Sequence, residues 1–175
     1  MKNIIIRFAV IALALVVLLS GCKKGDTKTY NSIFDCDYAT EVQVHMHTEG
    51  VGLEADETEM RLFNSPMLNG TAYCVIQFDN VTDKINKIDC YMEFPADNIM
   101  SQSRIVKDEF LRMIHQKTGE YEFYPLDANK EVEESDFLAG KASMEMYIYD
   151  GAVIWNLSWF ITGDVASLRL SKSIG

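Results

Sequence analysis

The clearest pattern of apolar and polar positions lies between Ala142 and Ile161, where two alternating segments flank Asp150-Gly151. A two-residue turn of this kind joins antiparallel strands, so the pattern predicts a β-hairpin. We expect Tyr149 to pair with Ala152, a register that gathers one apolar set on one face and directs that face into the core. This set comprises Met144, Met146, Ile148, Val153, Trp155, Leu157 and Trp159.

A second hairpin is predicted by alternation over residues 71–78 and 85–94. A turn centred near Thr82 places Cys74 opposite Cys90 on neighbouring strands. Opposed Cβ atoms lie about 4.5–5.5 Å apart, whereas a disulfide needs about 3.5–4.5 Å. Two interpretations follow: a disulfide that distorts the strands, or two buried thiols that act as small hydrophobic groups.

Helical periodicity is strongest over residues 98–118, where Ile99, Val106 and Phe110 fall on one stripe. Pro95 precedes this segment, and Gly119 is expected to end the helix. Alternation predicts strands over residues 39–47 and from Ala166 onward, and propensity favours a short helix over residues 54–63. The fold class expected from this order is α+β, with an antiparallel sheet of hairpins packed against one long helix in a single domain.

The amino terminus follows a different pattern. Lys2 and Arg7 precede an uncharged apolar run over residues 8–19, which is shorter than the roughly 20 residues of a membrane-spanning helix. A basic start with a short apolar segment is typical of an export signal. The sequence Leu19-Ser20-Gly21-Cys22 follows it and resembles the lipobox of bacterial lipoprotein precursors.

This resemblance implies that the signal over residues 1–21 is removed and that Cys22 carries acyl chains. Residues 22–31 would then tether the lipid to a globular domain over residues 32–175. Because Lys23 rather than Asp follows the cysteine, the resemblance also favours the outer membrane, with the domain facing the periplasm. The alternative is an ordinary secretory signal, or an uncleaved anchor, in which Cys22 is incidental.

The net charge of the chain indicates which classes of partner it can bind. The chain of 175 residues has a formal net charge of −10, which becomes −12 when Lys2 and Arg7 leave with the signal. Nucleic acid needs Lys and Arg at its phosphates, so it is excluded as a partner class. A basic envelope protein is the partner that the charge favours, although acidity also serves solubility alone.

One short motif carries candidate metal ligands. His45, His47 and Glu49 would share one face of the strand predicted over residues 39–47. Two imidazoles and a carboxylate suit zinc or a similar divalent ion. The alternative interpretation is the solvent side of an amphipathic strand.

The sequence contains no nucleophile elbow, phosphate loop or dinucleotide fingerprint. We therefore expect a non-catalytic binding domain without a cofactor. The alternative is a divalent-metal-binding protein or a metal-dependent enzyme that uses His45 and His47. Tyr147, Tyr149 and Phe160 fall on the mixed face of the predicted hairpin. These rings are a candidate binding surface, or they pack beneath a helix.

Overall fold

The computed structural model describes residues 32–49, 51–68, 70–126 and 131–175. Asn31–Gly175 form one compact unit. The predicted signal, Cys22 and the tether to residue 31 lie outside the described residues. No helix within the described ranges has the length and apolar character needed to cross a membrane.

Eight antiparallel strands form a single sheet in the order β1-β2-β3-β4-β8-β7-β6-β5. Each pair of neighbours along this order is antiparallel. The strands are β1 (Gly52–Ala55), β2 (Glu59–Met67), β3 (Gly70–Phe78), β4 (Ile85–Pro95), β5 (Glu122–Pro125), β6 (Ala142–Asp150), β7 (Val153–Thr162) and β8 (Val165–Ile174).

The topology repeats once along the chain. Helix α1 (Ala39–Glu49) precedes the meander β1–β4, and helix α2 (Ile99–Met113) precedes β5–β8, with the short helix α3 (Glu134–Leu138) between β5 and β6. The two meanders join where β4 pairs with β8 at the centre of the sheet. The antiparallel sheet with packed helix is confirmed, but the expectation of one long helix is wrong, because the described residues contain three short α-helices.

The core lies on the face of the sheet that the helices cover. Trp155 and Trp159 are both buried there, which confirms the predicted orientation of the hairpin. The ring of Phe110 from α2 meets Trp155 edge to face at 6.1 Å. Trp159 donates from Nε1 to the hydroxyl of Tyr121 at 3.1 Å, so its polar atom is satisfied inside the core.

One cation also lies in this core. Lys172 is 7% exposed and donates from Nζ to the backbone oxygen of Phe34 at 2.7 Å. The ammonium sits 5.6 Å from the centre of the Trp155 ring, a distance at which a cation and an aromatic face attract.

The register of the β6–β7 hairpin differs from the prediction by two residues. Met146 pairs with Leu157 instead of Trp155, because the turn is formed by Gly151 and Ala152 rather than by Asp150 and Gly151. Gly151 has a positive φ of 60°, which glycine adopts without steric cost. A shift by an even number of residues leaves every side chain on its predicted face.

The β3–β4 hairpin has the predicted register, with Cys74 directly opposite Cys90. Its turn is held by Asp79, whose Oδ1 accepts hydrogen bonds from the backbone N–H groups of Val81 and Thr82. These bonds, together with one from the Thr82 hydroxyl, lower the pKa of Asp79, because they favour the ionised carboxylate.

The strand predicted over residues 39–47 is wrong, since these residues form α1. The backbone N–H and hydroxyl of Thr40 both donate to Asp83 Oδ2, at 3.1 and 2.7 Å. Asp83 thereby satisfies a free donor at the start of the helix. Val42 and Met46 are buried but Val44 is 68% exposed, which is the helical rather than the alternating pattern.

The helix favoured over residues 54–63 is also absent, because these residues belong to β1, a turn and β2. Asp56 follows β1 and accepts from the backbone N–H groups of Thr58 and Glu59 at 2.9 and 2.8 Å. This local turn reverses the direction of the chain and joins β1 to β2 as a hairpin.

Helix α2 ends at Met113 and not near Gly119 as predicted. His115 follows with a positive φ of 57°, and the Gln116 N–H donates to the Leu111 oxygen at 2.9 Å. This 6→1 bond is the signature of a Schellman motif. A Cβ on Gly119 would collide with the Met146 side chain, so this glycine permits close passage of the loop over β6.

Candidate binding surface

The face of the sheet opposite the helices carries exposed side chains and is called the open face below. The pairing of β3, β4, β8, β7, β6 and β5 aligns one row of residues across it. This row runs Tyr73, Tyr91, Arg169, Ser158, Glu145 and Glu122. Alternation along each strand places residues two positions away on the same face.

One end of the open face is aromatic. Phe63 and Tyr73 lie with ring centres 5.5 Å apart, and Tyr73 and Tyr91 with ring centres 6.3 Å apart. These three residues are the first aromatic cluster, and each is 38–41% exposed. Phe63 faces outward because it alternates with the buried Leu62, and the bulge between Leu62 and Ser65 reverses this alternation from Ser65 onward.

The centre of the open face is polar, and its side chains are shorter than those around it. Its floor consists of short side chains that are each at most 9% exposed: Asp89, Ser143, Asn156, Ser158 and Ser171. Larger side chains stand on both sides of this floor. Three strand spacings separate β4 from β6, so the backbones that carry Tyr91 and Tyr147 lie about 14 Å apart across the trough. That separation, less the thickness of the rings, admits an extended segment of a partner.

Asp89 anchors the charges of the floor. Arg169 donates to its Oδ1 from Nε at 3.1 Å and from Nη2 at 2.9 Å, and Lys87 Nζ lies 2.8 Å from its Oδ2. Burial alone would raise the pKa of Asp89, but hydrogen bonds from Lys87, Ser171 and Arg169 outweigh burial and lower it. The carboxylate is therefore held in its charged form.

The other end of the open face combines tyrosines with carboxylates. Tyr124 and Tyr147 meet at 83° with ring centres 6.4 Å apart. Tyr124 donates to Glu122 and Tyr147 donates to Glu145, both at 2.7 Å. These bonds raise the pKa of each tyrosine to about 12. Glu122, Tyr124, Glu145 and Tyr147 are the tyrosine–glutamate cluster.

The structure brings together part of the predicted binding surface. Tyr147 and Tyr149 both lie on the open face, at 45% and 72% exposure. Phe160 lies on the same face but is only half-exposed, and it pairs with Ser167 near the other end of β7. Sequence reasoning missed the first aromatic cluster and Tyr124, although Tyr73 and Tyr91 alternate with the predicted cysteine face.

His47 does not share a face with the other two predicted metal ligands, His45 and Glu49. His45, His47 and Glu49 lie on α1, where residues two apart point about 200° apart around the axis. The metal prediction depended on a shared face of a strand, and that strand is wrong. Within the described ranges, no group of three or more His, Cys, Asp or Glu residues is placed to hold a metal ion.

Cys74 and Cys90 are thiols in this structure, and both are fully buried. Burial raises the pKa of Cys90 well above its ordinary value, and the neighbouring thiol of Cys74 adds to this shift. The strand pairing is confirmed, and the disulfide stays a prediction.

Comparisons with protein-family models, with curated proteins and with solved structures gave no match to this chain.

Proposed function

We propose that this chain is a lipid-anchored protein of the bacterial cell envelope whose domain binds a protein partner without catalysis. The open face is the observation that carries this proposal. Tyr73, Tyr91, Tyr147 and Tyr149 remain 38–72% exposed on it. Tyrosines are enriched in protein interfaces, where a rigid ring fills a pocket and the hydroxyl finds a hydrogen-bond partner.

The lipobox supports the anchor. Cys22 is the residue that carries the acyl chains in this proposal, and residues 22–31 are the tether. Each buried acyl CH₂ contributes about 0.8 kcal/mol, so two or more chains hold a domain at a bilayer. Lys23 after the cysteine supports the outer membrane as its location, with the domain in the periplasm.

A basic protein is the partner that the charge supports. The processed chain has a formal net charge of −12, which attracts positively charged surfaces and steers their approach. Screening by salt weakens such attraction. Binding of the partner is therefore expected to weaken as ionic strength rises.

Local contacts explain the lowered pKa values of three carboxyl groups, so these groups are not candidates for a catalytic acid or base. Asp56 and Asp79 are exposed and owe their lowered pKa values to turn hydrogen bonds, and Asp89 owes its lowered value to its neighbours on the trough floor. A catalytic acid or base needs a pKa near the working pH. The three shifts instead lower the pKa values of these carboxyl groups, away from neutral pH.

Co-purification tests the proposal. The tagged full chain is isolated from gently solubilised native envelopes beside a Tyr73→Ser, Tyr149→Ser variant. The matched control is Ile105→Ser, which changes a side chain of α2 that is 62% exposed. We expect a stoichiometric partner with the wild type and the control, and its loss with the double variant.

A partner that is retained by the double variant would contradict a role for the open face, and recovery of the chain alone would contradict the binding function. The mass of the purified chain tests the anchor in the same preparation. We expect a chain that begins at Cys22 with acyl groups, whereas an unmodified Cys22 would contradict lipidation.

A further inference from the structure

We infer that the tyrosine–glutamate cluster receives an arginine side chain of the protein partner. This inference rests on the proposed function, because it assigns the chemistry of recognition at one end of the open face. Four observations support it: the pairing of two carboxylates, the angle between two rings, the exposure of the cluster and the placement of the cations.

The two carboxylates of the cluster belong to residues that face each other on neighbouring strands. Glu122 on β5 is the direct cross-strand partner of Glu145 on β6. Like charges that face each other across neighbouring strands destabilise a sheet. A bound cation between the two carboxylates would remove this repulsion, so the free protein already holds a preference for a positive ligand.

The cationic side chains Arg169, Lys87 and Arg61 form ion pairs with carboxylates outside the cluster. Arg169 and Lys87 both bind Asp89, and Arg61 binds Glu59 at 2.7 Å. Within the described part of the chain, neither Glu122 nor Glu145 forms an ion pair. Their hydrogen bonds come from neutral groups: the hydroxyls of Tyr124, Tyr147 and Ser143, and the amide of Asn156.

The rings favour a guanidinium ligand. Tyr124 and Tyr147 lie nearly perpendicular, so the cluster offers two ring faces in different orientations beside the carboxylates. A planar guanidinium stacks on one ring and donates several hydrogen bonds to carboxylate oxygens at the same time. Lysine presents a compact ammonium that lacks this planar contact.

The cluster is accessible to a partner. Tyr124 is 37% exposed and Tyr147 is 45% exposed. Tyr149 stands beside them at 72% exposure and extends the aromatic wall toward the turn of the β6–β7 hairpin. An arginine that enters from the trough therefore meets the rings and the carboxylates without movement of the sheet.

The test uses the full chain in a non-ionic detergent and measures affinity by microscale thermophoresis. The probe is the blocked peptide acetyl-Gly-Arg-Gly-Arg-Gly-amide, and the control peptide has citrulline, a neutral analogue of similar shape, in place of arginine. The variant is Glu122→Gln with Glu145→Gln. The matched control is Glu57→Gln with Glu134→Gln, which makes the same charge change at exposed positions outside the cluster.

We expect the arginine peptide to bind at least about tenfold more tightly than the citrulline peptide, a ratio equal to about 1.4 kcal/mol. The Glu122→Gln, Glu145→Gln variant is expected to lose about tenfold in affinity, and the matched control to stay within about twofold. Unchanged binding in the Glu122→Gln, Glu145→Gln variant, or equal binding of the two peptides, would overturn the inference.

Co-purification separates this inference from the proposed function. If Glu122→Gln with Glu145→Gln retains a partner that Tyr73→Ser with Tyr149→Ser loses, the arginine subsite is wrong and the binding function stands. If no partner depends on the open face, the proposed function is wrong whatever the peptide does.

Discussion

At the scale of single residues, the carboxylate of Asp89 links the electrostatics of the open face to the stability of the sheet. It lies on the trough floor at 7% exposure, between Lys87 on its own strand and Arg169 on β8. The interactions that lower its pKa in the folded protein are absent in the unfolded chain. The protonation of Asp89 and the folding of the domain are therefore linked.

We expect Asp89→Asn to lower the free energy of unfolding at pH 7 by about 1 kcal/mol, allowing for the solvent around both cations. A lowered folded pKa gives stability that is complete above the unfolded value of about 3.9 and is lost as the pH falls through the folded value. The difference between wild type and variant should shrink below about pH 4. Urea unfolding at pH 7 and pH 3 measures it, and an equal difference at both pH values would contradict this account.

The cysteines give a second residue-scale prediction. Opposed strand positions hold Cβ atoms farther apart than a disulfide prefers, and the raised pKa of Cys90 keeps its reactive thiolate rare. We expect Cys36, Cys74 and Cys90 to resist alkylation in the folded domain. All three should react after unfolding without reductant. Reaction of Cys36 alone after unfolding would instead establish the Cys74–Cys90 disulfide.

At the scale of elements, the end of α2 depends on a residue that is poorly suited to its conformation. His115 occupies the left-handed position of the Schellman motif, where a Cβ costs about 1–2 kcal/mol and glycine has no such cost. We expect His115→Gly to raise the free energy of unfolding by about 0.5–1 kcal/mol, after the greater chain entropy of glycine is subtracted. Thermal unfolding measures this, with His115→Ala as the control; a lower midpoint for the glycine variant would contradict it.

Sequence patterns predicted the elements whose signals are local. Trp155 and Trp159 are buried as alternation indicated, and Cys74 pairs with Cys90 as turn geometry indicated. In the β6–β7 hairpin the faces were right and the pairing was wrong by two residues. Alternation fixes only whether a side chain faces inward or outward, whereas the position of the turn fixes its partner.

Helix α1 could not be predicted because its decisive contact is distant. Val42 and Met46 fit both a strand and a helix, and only the exposed Val44 separates the two patterns. Thr40 at the start of the helix is held by Asp83, 43 residues away along the chain. The predicted metal site depended on the wrong assignment of α1, because His45 and His47 share a face only on a strand.

Only part of the binding surface was predicted from the sequence, for a related reason. Tyr147 and Tyr149 follow from alternation on β6, whereas Phe63 lies in a segment that propensity assigned to a helix, so its contact with Tyr73 was missed. The partnership of Tyr124 with Tyr147 depends on the pairing of β5 with β6. Residues 122–125 are too few for a periodic signal to establish that pairing.

At the scale of the whole molecule, two similar halves build one surface. Each half is a helix followed by a four-stranded meander, and the halves join through β4 and β8. The floor of the trough spans this junction, with the first aromatic cluster on one half and the tyrosine–glutamate cluster on the other. A partner that lies across the trough therefore contacts both halves. The central claim is that this open face, and not the helical side, meets the partner.

Site-specific photo-cross-linking in intact cells tests that claim most directly. A photoreactive phenylalanine replaces Tyr73 or Tyr149 on the open face, and Ile105 on α2 or Val81 in the β3–β4 turn as exposed controls. The account predicts one cross-linked protein, of the same mass from both tyrosine positions, and no such product from Ile105 or Val81. Cross-links from Ile105 alone, or from all four positions equally, would contradict it.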